Sequence, residues 1–160
     1  MLLGTVLVGI AAGAAPPGEG FSPRTLGVPS GKIALYGHSL GSAIAAELAS
    51  EVGPEVLVLV APMTSVREMA YRVSPTAILL FWTGLARVHY DTETIVRSID
   101  APVWVVHGSR DDVIPAGMGR RVFAAAKVKG ELLLVDGAGH NDLVDHAGQR
   151  YWRWLCAALR

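Results

Sequence analysis

One stretch of the sequence combines residue types that can perform nucleophilic chemistry. Residues 37–41 read Gly-His-Ser-Leu-Gly, so Ser39 stands two positions from a glycine on each side. A serine held at a strained backbone angle between a strand and a helix needs such neighbours, because the two elements pass closely there. Gly37 and Gly41 meet this need, and His38 occupies the variable position. The spacing therefore predicts a nucleophile elbow that exposes the Ser39 hydroxyl.

A serine hydroxyl is a weak nucleophile until a base takes its proton, and the base needs a carboxylate to orient it. His140 is the candidate base, because a Gly-Ala-Gly run directly precedes it and lets its loop reach towards Ser39. Asp111 and Asp112 compete for the carboxylate role. Asp111 is preferred, since an Asp-x-x-Ile-Pro stretch begins there, whereas Asp112 is interpreted as a helix-start or solvated charge.

The oxyanion formed in such a reaction needs backbone N–H donors beside the serine. Leu40 would open the following helix, and the first N–H groups of a helix have no partner within it, so the Leu40 N–H is the predicted donor. His107, at a strand end, is interpreted as structural, and His89 as a surface residue. The acidic and imidazole side chains of residues 140–146 fit no zinc spacing, so neither a metal nor a cofactor is expected.

The elements that would position these residues alternate between strands and helices. Apolar runs typical of strands buried on both faces occupy residues 33–36, 56–60, 103–106 and 131–135. Helical patterns begin at residue 42 and cover residues 65–71, 117–127 and 148–159. The serine, the acid and the histidine each follow a strand, at the sheet edge where such folds carry their chemistry. We therefore expect an α/β fold with a mostly parallel sheet flanked by helices.

A segment of different character, residues 62–100, interrupts this alternation. Its apolar run at residues 77–86 lies where many sheet enzymes insert a short cap over the site. Leu79, Phe81 and Trp82 are predicted to line an acyl pocket, because the run is more apolar than one buried face requires. A helix packed on the sheet is an equally good interpretation of the run.

The N-terminal residues 1–15 are apolar and carry no charged side chain, and a proline- and glycine-rich linker follows to residue 31. Three interpretations are open. A targeting segment would lack the basic residues of a signal peptide, a membrane span would need roughly 20 residues, and residues 5–10 could form a sheet strand. These features favour a cytoplasmic or membrane-associated protein over a secreted one, and membrane association would act through this segment.

Composition limits the classes of partner and fold. Fourteen basic and fourteen acidic residues balance, with no basic run, so nucleic acid is not an expected partner. The length of 160 residues suits one domain, which we place at residues 32–160 after the N-terminal segment 1–31. The single cysteine, Cys156, excludes an intrachain disulfide and is expected to be a small core residue.

Four stretches together resemble the α/β-hydrolase superfamily over about residues 32–159. They are residues 37–43 (GHSLGSA), 61–70 (APMTSVREMA), 101–115 (APVWVVHGSRDDVIP) and 137–142 (GAGHND). The chain is most similar to the branch with lysophospholipase-like, acyl-protein thioesterase-like and serine aminopeptidase-like members. The resemblance implies Ser39 as nucleophile, Asp111 as acid and His140 as base, which agrees with the chemistry argued above.

The front of the chain departs from this resemblance. Family members carry further strands before the elbow and a His-Gly loop that supplies a second oxyanion N–H, whereas here 31 residues precede the elbow strand and no His-Gly pair precedes residue 37. We therefore expect an amino-truncated hydrolase whose elbow strand would be an apolar, unpaired edge. Residues 5–10 or a second copy of the chain would cover that edge.

The primary hypothesis is a serine hydrolase that cleaves a small-molecule carboxylic ester or thioester through an acyl-enzyme intermediate. One alternative is a truncated, non-catalytic hydrolase fragment that binds a partner or ligand. Another is a serine peptidase that uses the same three side chains.

Overall fold

The computed structural model describes residues 6–10, 29–73 and 90–160. Its centre is a sheet of five strands in the order β1-β2-β3-β4-β5. The strands are β1 (Val6–Ile10), β2 (Ile33–His38), β3 (Val56–Val60), β4 (Val103–Gly108) and β5 (Lys129–Val135). Each neighbouring pair is parallel, so all the carboxyl ends lie at one edge. The α/β class and the parallel sheet predicted from the sequence are confirmed.

Helices cover both faces of this sheet. They are α1 (Leu40–Val52), α2 (Val66–Val73), α3 (Thr92–Ile95), α4 (Ala116–Ala125), α5 (Leu143–Ala147) and α6 (Gln149–Ala158). Residues of α1 and α4 pack with one face, and residues of α5 and α6 pack with the other. The sequence did not predict α3 and α5, because four or five residues are too few to show a helical period.

The two sheet faces form two apolar cores, which explains the unbroken hydrophobic runs of the strands. All five residues of β3 are buried. Leu57 and Leu59 belong to the core under α1 and α4, whereas Val58 belongs to the core under α5 and α6. A strand that points into a core on both sides has no polar face, so its sequence shows no alternation.

Helix α1 lies close to the sheet because its buried side chains are small. The buried positions are Gly41, Ser42, Ala43, Ala45, Ala46 and Ala49. The helix ends at Gly53, whose φ of 62° is left-handed and whose N–H donates to the Ala49 carbonyl oxygen over 3.1 Å. This small-residue face allows the amino end of α1 to reach the carboxyl end of β2.

The N-terminal segment contributes β1. The strand pairs in parallel with β2, from Val6 opposite Ile33 to Ile10 opposite Gly37. Of the three interpretations of residues 1–15, a sheet strand is the one that the structure contains. β1 thereby covers the edge of β2 that was expected to be unpaired. Among the described helices, none is long and apolar enough to cross a bilayer.

One expectation about the core is wrong, because Cys156 is exposed. Helix α6 buries Tyr151, Trp154 and Ala158, which are three and four positions apart and share one face. Cys156 stands two positions from Trp154 and therefore points away from that face. Apolar composition alone overestimated the buried part of α6, since Trp152 is also 51% exposed.

The predicted cap run at residues 77–86, with Leu79, Phe81 and Trp82, lies outside the described residues. The segments on either side of residues 74–89 form hydrogen bonds with each other and with α4. The Glu93 N–H donates to the Thr64 carbonyl oxygen over 3.0 Å.

Arg121 of α4 joins the same two flanking elements. Its guanidinium donates to Glu68 of α2 over 3.0 Å and to Glu93 of α3 over 2.6 Å. The Thr64 hydroxyl also donates to Glu68, over 2.6 Å. The ends of α2 and α3 are therefore held beside α4, near the carboxyl edge of the sheet.

The close approach of β2 and α1 generates the first prediction. A Cβ atom at Gly37 would lie 2.3 Å from the Gly41 carbonyl oxygen and 2.6 Å from the Ser42 Cα atom, both in the backbone. Gly37→Ala should therefore lower the free energy of unfolding by about 1–3 kcal/mol or more, as overpacking does. Urea denaturation measures this change.

Gly117→Ala is the matched control, because a Cβ atom there meets nothing within 4 Å and the residue lies in α4. It should leave stability unchanged or raise it by up to about 1 kcal/mol. Equal stability of the two variants would contradict the close packing of β2 against α1.

Candidate active site

Ser39 occupies a strained turn between β2 and α1. Its φ of 56° and ψ of −124° lie in a region that residues with side chains rarely adopt. The Ser39 N–H donates to the Val60 carbonyl oxygen over 2.9 Å. The Ser39 carbonyl oxygen accepts bonds from the Ser42 N–H over 3.0 Å and the Ser42 hydroxyl over 2.5 Å. These bonds hold the unfavourable conformation, and the strand, turn and helix follow in the predicted order.

Ser39, His140 and Asp111 form a continuous line of hydrogen bonds. The Nε2 atom of His140 lies 3.0 Å from the Ser39 Oγ atom, and its Nδ1 atom lies 2.7 Å from the Asp111 Oδ2 atom. Because an ionised carboxylate can only accept, Nδ1 donates to Asp111 and Nε2 is free to accept from the serine hydroxyl. The structure thus brings together the three side chains that the sequence singled out.

Asp111 and its neighbour Asp112 have opposite environments. The Asp111 side chain is fully buried, and its Oδ1 atom accepts the N–H groups of Val113 over 3.0 Å and Ile114 over 2.7 Å. Asp112 is exposed to solvent. Of the two candidate carboxylates, only Asp111 contacts His140.

The loop that carries His140 packs tightly against the end of β4. A Cβ atom at Gly108 would lie 2.4 Å from the Ala138 carbonyl oxygen and 2.6 Å from that of Gly139. The Asp142 Oδ1 atom accepts the Gly139 N–H over 2.7 Å and closes the loop from the other side. This bond of Asp142 could not be predicted from the sequence, in which the available signal was an aspartate that directly precedes the apolar start of α5.

His38 lies beside the candidate base. Its ring centroid is 5.2 Å from that of His140, and the two planes are inclined by 35°. Burial lowers the pKa of His38, and the charge of a protonated His140 lowers that pKa further. A neutral imidazole therefore flanks His140 near pH 7. The motif position of His38, next to Ser39, was the only sequence signal for this contact.

Leu40 is the first residue of α1, so the helix supplies no acceptor for its N–H. This N–H stands directly after Ser39, and Leu40 is 39% exposed. Ile114, whose N–H donates to Asp111, packs in a small apolar cluster with Met63 and Met118 beyond the ends of β3 and β4. The candidate site therefore combines one backbone donor with an apolar flank.

Other titratable groups near the site are arranged as pairs. In the part of the chain that the structure describes, no group of three or more histidine, cysteine, aspartate or glutamate side chains is arranged to hold a metal ion. The exposed Asp142 and His146 form a pair, with Oδ2 and Nδ1 3.3 Å apart. His107 is completely buried and its Nε2 atom lies 2.8 Å from the Ile114 carbonyl oxygen, as suits a structural residue.

Comparison with known proteins places this geometry in a family context. An uncharacterised protein of Mycobacterium tuberculosis is 37% identical over 137 residues, which are 84% of this chain and 46% of that protein. The alpha/beta hydrolase domain-containing protein aho-3 of Caenorhabditis elegans is 35% identical over 121 residues, which are 76% of this chain and 34% of that protein. The chain spans less than half the length of these curated relatives.

Solved structures agree in fold. The esterase domain of a Rhodothermus marinus protein superposes with a TM-score of 0.59 at 19% identity, covering 79% of this chain and 61% of that domain's chain. No protein-family model matches the sequence. The solved structures show that the chain has the α/β-hydrolase fold, and its similarity to the named relative supports a place in the α/β-hydrolase superfamily.

Proposed function

We propose that the chain acts as a serine hydrolase on a carboxylic ester or thioester, with Ser39 as nucleophile, His140 as base and Asp111 as the group that orients the base. The observation that carries this proposal is the line of contacts from Ser39 to His140 over 3.0 Å and from His140 to Asp111 over 2.7 Å. A nucleophile within reach of a base that is itself oriented by a carboxylate is the arrangement that acyl transfer requires.

In the acylation step, Nε2 of His140 takes the Ser39 hydroxyl proton while Oγ attacks the carbonyl carbon of the substrate. The C=O bond electrons move to the oxygen, which becomes an oxyanion. The Leu40 N–H and the positive end of the α1 dipole stabilise that charge. When the carbonyl re-forms, the bond to the leaving group breaks, and His140 returns the proton to the departing alcohol or thiol.

Deacylation repeats these steps with water as the nucleophile. His140 takes a proton from water, whose oxygen attacks the acyl-serine carbonyl carbon. The bond to Ser39 Oγ breaks, Oγ regains the proton, and a carboxylic acid leaves. Asp111 remains ionised throughout and stabilises the charged imidazole in each half-reaction.

An ester or thioester fits the described part of the site better than a peptide does. Alcohols and thiols leave more readily than amines, so a site with the Leu40 N–H as its identified donor suits the less demanding reaction. The esterase neighbour in fold is consistent with this choice. The acyl pocket at Leu79, Phe81 and Trp82 stays a prediction, as do a peptidase activity and a non-catalytic binding role.

A fluorophosphonate probe tests the nucleophile directly. The probe should label the folded chain at one site, because it reacts with activated serine hydroxyls. Ser39→Ala should abolish labelling in mass spectrometry of the intact protein, whereas Ser50→Ala, which changes an exposed hydroxyl at the end of α1, should not. A folded wild-type chain that remains unlabelled would favour the non-catalytic fragment.

The two adjacent aspartates provide a matched pair of variants. Asp111→Asn should lower kcat by about four orders of magnitude, because the amide cannot hold His140 in the required tautomer. Asp112→Asn should change kcat less than twofold, since Asp112 is exposed and removed from the base. Ester hydrolysis under saturating substrate measures both. Similar losses at the two positions would overturn the assignment of the acid.

Acidification should also reduce turnover. A protonated imidazole cannot accept the serine proton, so kcat/KM should fall when the solution is acidified and His140 takes up a proton. The measurement is initial rate against pH, with circular dichroism at each pH to verify folding. A rate that stays constant over the whole acidic range in which the chain is folded would contradict histidine as the base.

A further inference from the structure

We propose that His107 is a positioning residue, which holds the Asp111 carboxylate in the orientation that His140 requires. Its expected effects on turnover rest on the proposed function. The contacts of His107 with Asp111 and Ile114 rest on side-chain geometry alone. It assigns a role to a buried imidazole that the hydrolytic mechanism itself does not use.

The tautomer of His107 follows from its hydrogen-bond partner. The side chain is fully buried on β4, and Nε2 lies 2.8 Å from the Ile114 carbonyl oxygen. Because a carbonyl oxygen can only accept, the proton is on Nε2. Nδ1 then carries a lone pair, and no partner for it exists among the described residues. The donor side of the ring therefore faces the loop that carries Asp111.

The same Nε2 atom also approaches the candidate acid. It lies 3.3 Å from the Asp111 Oδ2 atom, the oxygen that His140 contacts at 2.7 Å. Two imidazoles thus face one carboxylate oxygen from different directions. The N–H edge of His107 carries a partial positive charge, which attracts the carboxylate in a site where neither side chain is screened by water.

His107 also acts on Asp111 through the backbone. The Ile114 N–H donates a hydrogen bond to Asp111 Oδ1 over 2.7 Å. The Ile114 carbonyl oxygen accepts a hydrogen bond from His107 Nε2 over 2.8 Å. His107 therefore anchors Ile114, whose N–H holds the Oδ1 atom of Asp111, and the His107 ring faces the Oδ2 atom. Loss of the imidazole would loosen both constraints together.

The charge state of His107 suits a positioning role. Burial lowers its pKa, against smaller opposing effects of the Ile114 carbonyl and the Asp111 charge. The ring is therefore neutral near pH 7 and leaves the negative charge of Asp111 available to His140. A cationic residue at this place would compete with the base for that charge.

Helix α4 provides a second way to move this ring. Gly119 packs on it so closely that a Cβ atom would lie 2.3 Å from His107 Nδ1. Gly117, on the same helix, has open space at the corresponding position. An added methyl at Gly119 should displace the ring from its present contacts with Asp111 and Ile114, whereas one at Gly117 should leave it in place.

The first test compares two substitutions of His107. His107→Leu removes the donor at similar volume and should lower kcat by about ten- to a hundredfold, the usual effect of losing a group that orients a reactive side chain. KM should change less than twofold, because His107 is buried below Asp111 and does not contact substrate. His107→Gln keeps an N–H near the position of Nε2 and should restore kcat to within about threefold of wild type.

The second test uses the two glycines of α4. Gly119→Ala should lower kcat in the same way as His107→Leu, while Gly117→Ala should leave kcat and KM unchanged. Urea denaturation accompanies each variant, so that lost stability is separated from lost turnover. A purely structural role would reduce stability in His107→Leu and His107→Gln without the difference in kcat between them, and that result would overturn the proposal.

A third measurement does not depend on catalysis. The proton between His140 Nδ1 and Asp111 should give a far-downfield resonance in the proton NMR spectrum. It should persist in His107→Gln and be lost to solvent exchange in His107→Leu. If the wild-type chain neither turns over esters nor reacts with the probe, the proposed function fails, and this resonance still decides the role of His107. An unchanged resonance in His107→Leu would overturn the role.

Discussion

The close contact between β2 and α1 sets the geometry of the site. A side chain at Gly37 would collide with the backbone at Gly41, so only glycine allows the helix to start this near the strand. The contact forces Ser39 into a backbone conformation that costs on the order of 1–3 kcal/mol. The bond that the Ser39 N–H donates to Val60 and the two bonds that Ser42 donates to the Ser39 carbonyl oxygen hold that conformation. The packing of the sheet and the helix thus keeps Ser39 in a backbone conformation that its own local preferences do not favour.

The parallel sheet brings side chains that are far apart in the sequence to one edge of the fold. Ser39 follows β2, Asp111 follows β4 and His140 follows β5, yet their side chains meet within hydrogen-bond distance across 101 residues of sequence. The loop after β5 must extend back across two neighbouring strands to do so. Its packing against Gly108 and its bond to Asp142 keep the reaching loop in one conformation, which a reactive geometry requires.

A buried carboxylate is costly unless its lone pairs are satisfied, and Asp111 meets that condition. Its two oxygens receive two backbone N–H groups and the His140 imidazole, with His107 close by. Histidines on both sides of the line remain neutral because burial lowers the pKa of His38 and of His107. The negative charge of Asp111 is therefore directed at His140, the imidazole that would become positive in the proposed reaction.

The features that depend on near neighbours along the chain could be predicted from the sequence. It predicted the strand, turn and helix around Ser39, four of the five strands, and Asp111 over Asp112, because local spacing and hydrophobic runs report these directly. The pairing of residues 6–10 with β2 and the exposure of Cys156 to solvent could not be predicted from the sequence, because both depend on packing in three dimensions. The contacts of His107 with Asp111 and Ile114 were likewise invisible, since they depend on loop closure and on which groups share a buried space. Such contacts are set by strand pairing and packing in three dimensions, which no spacing within one segment can specify.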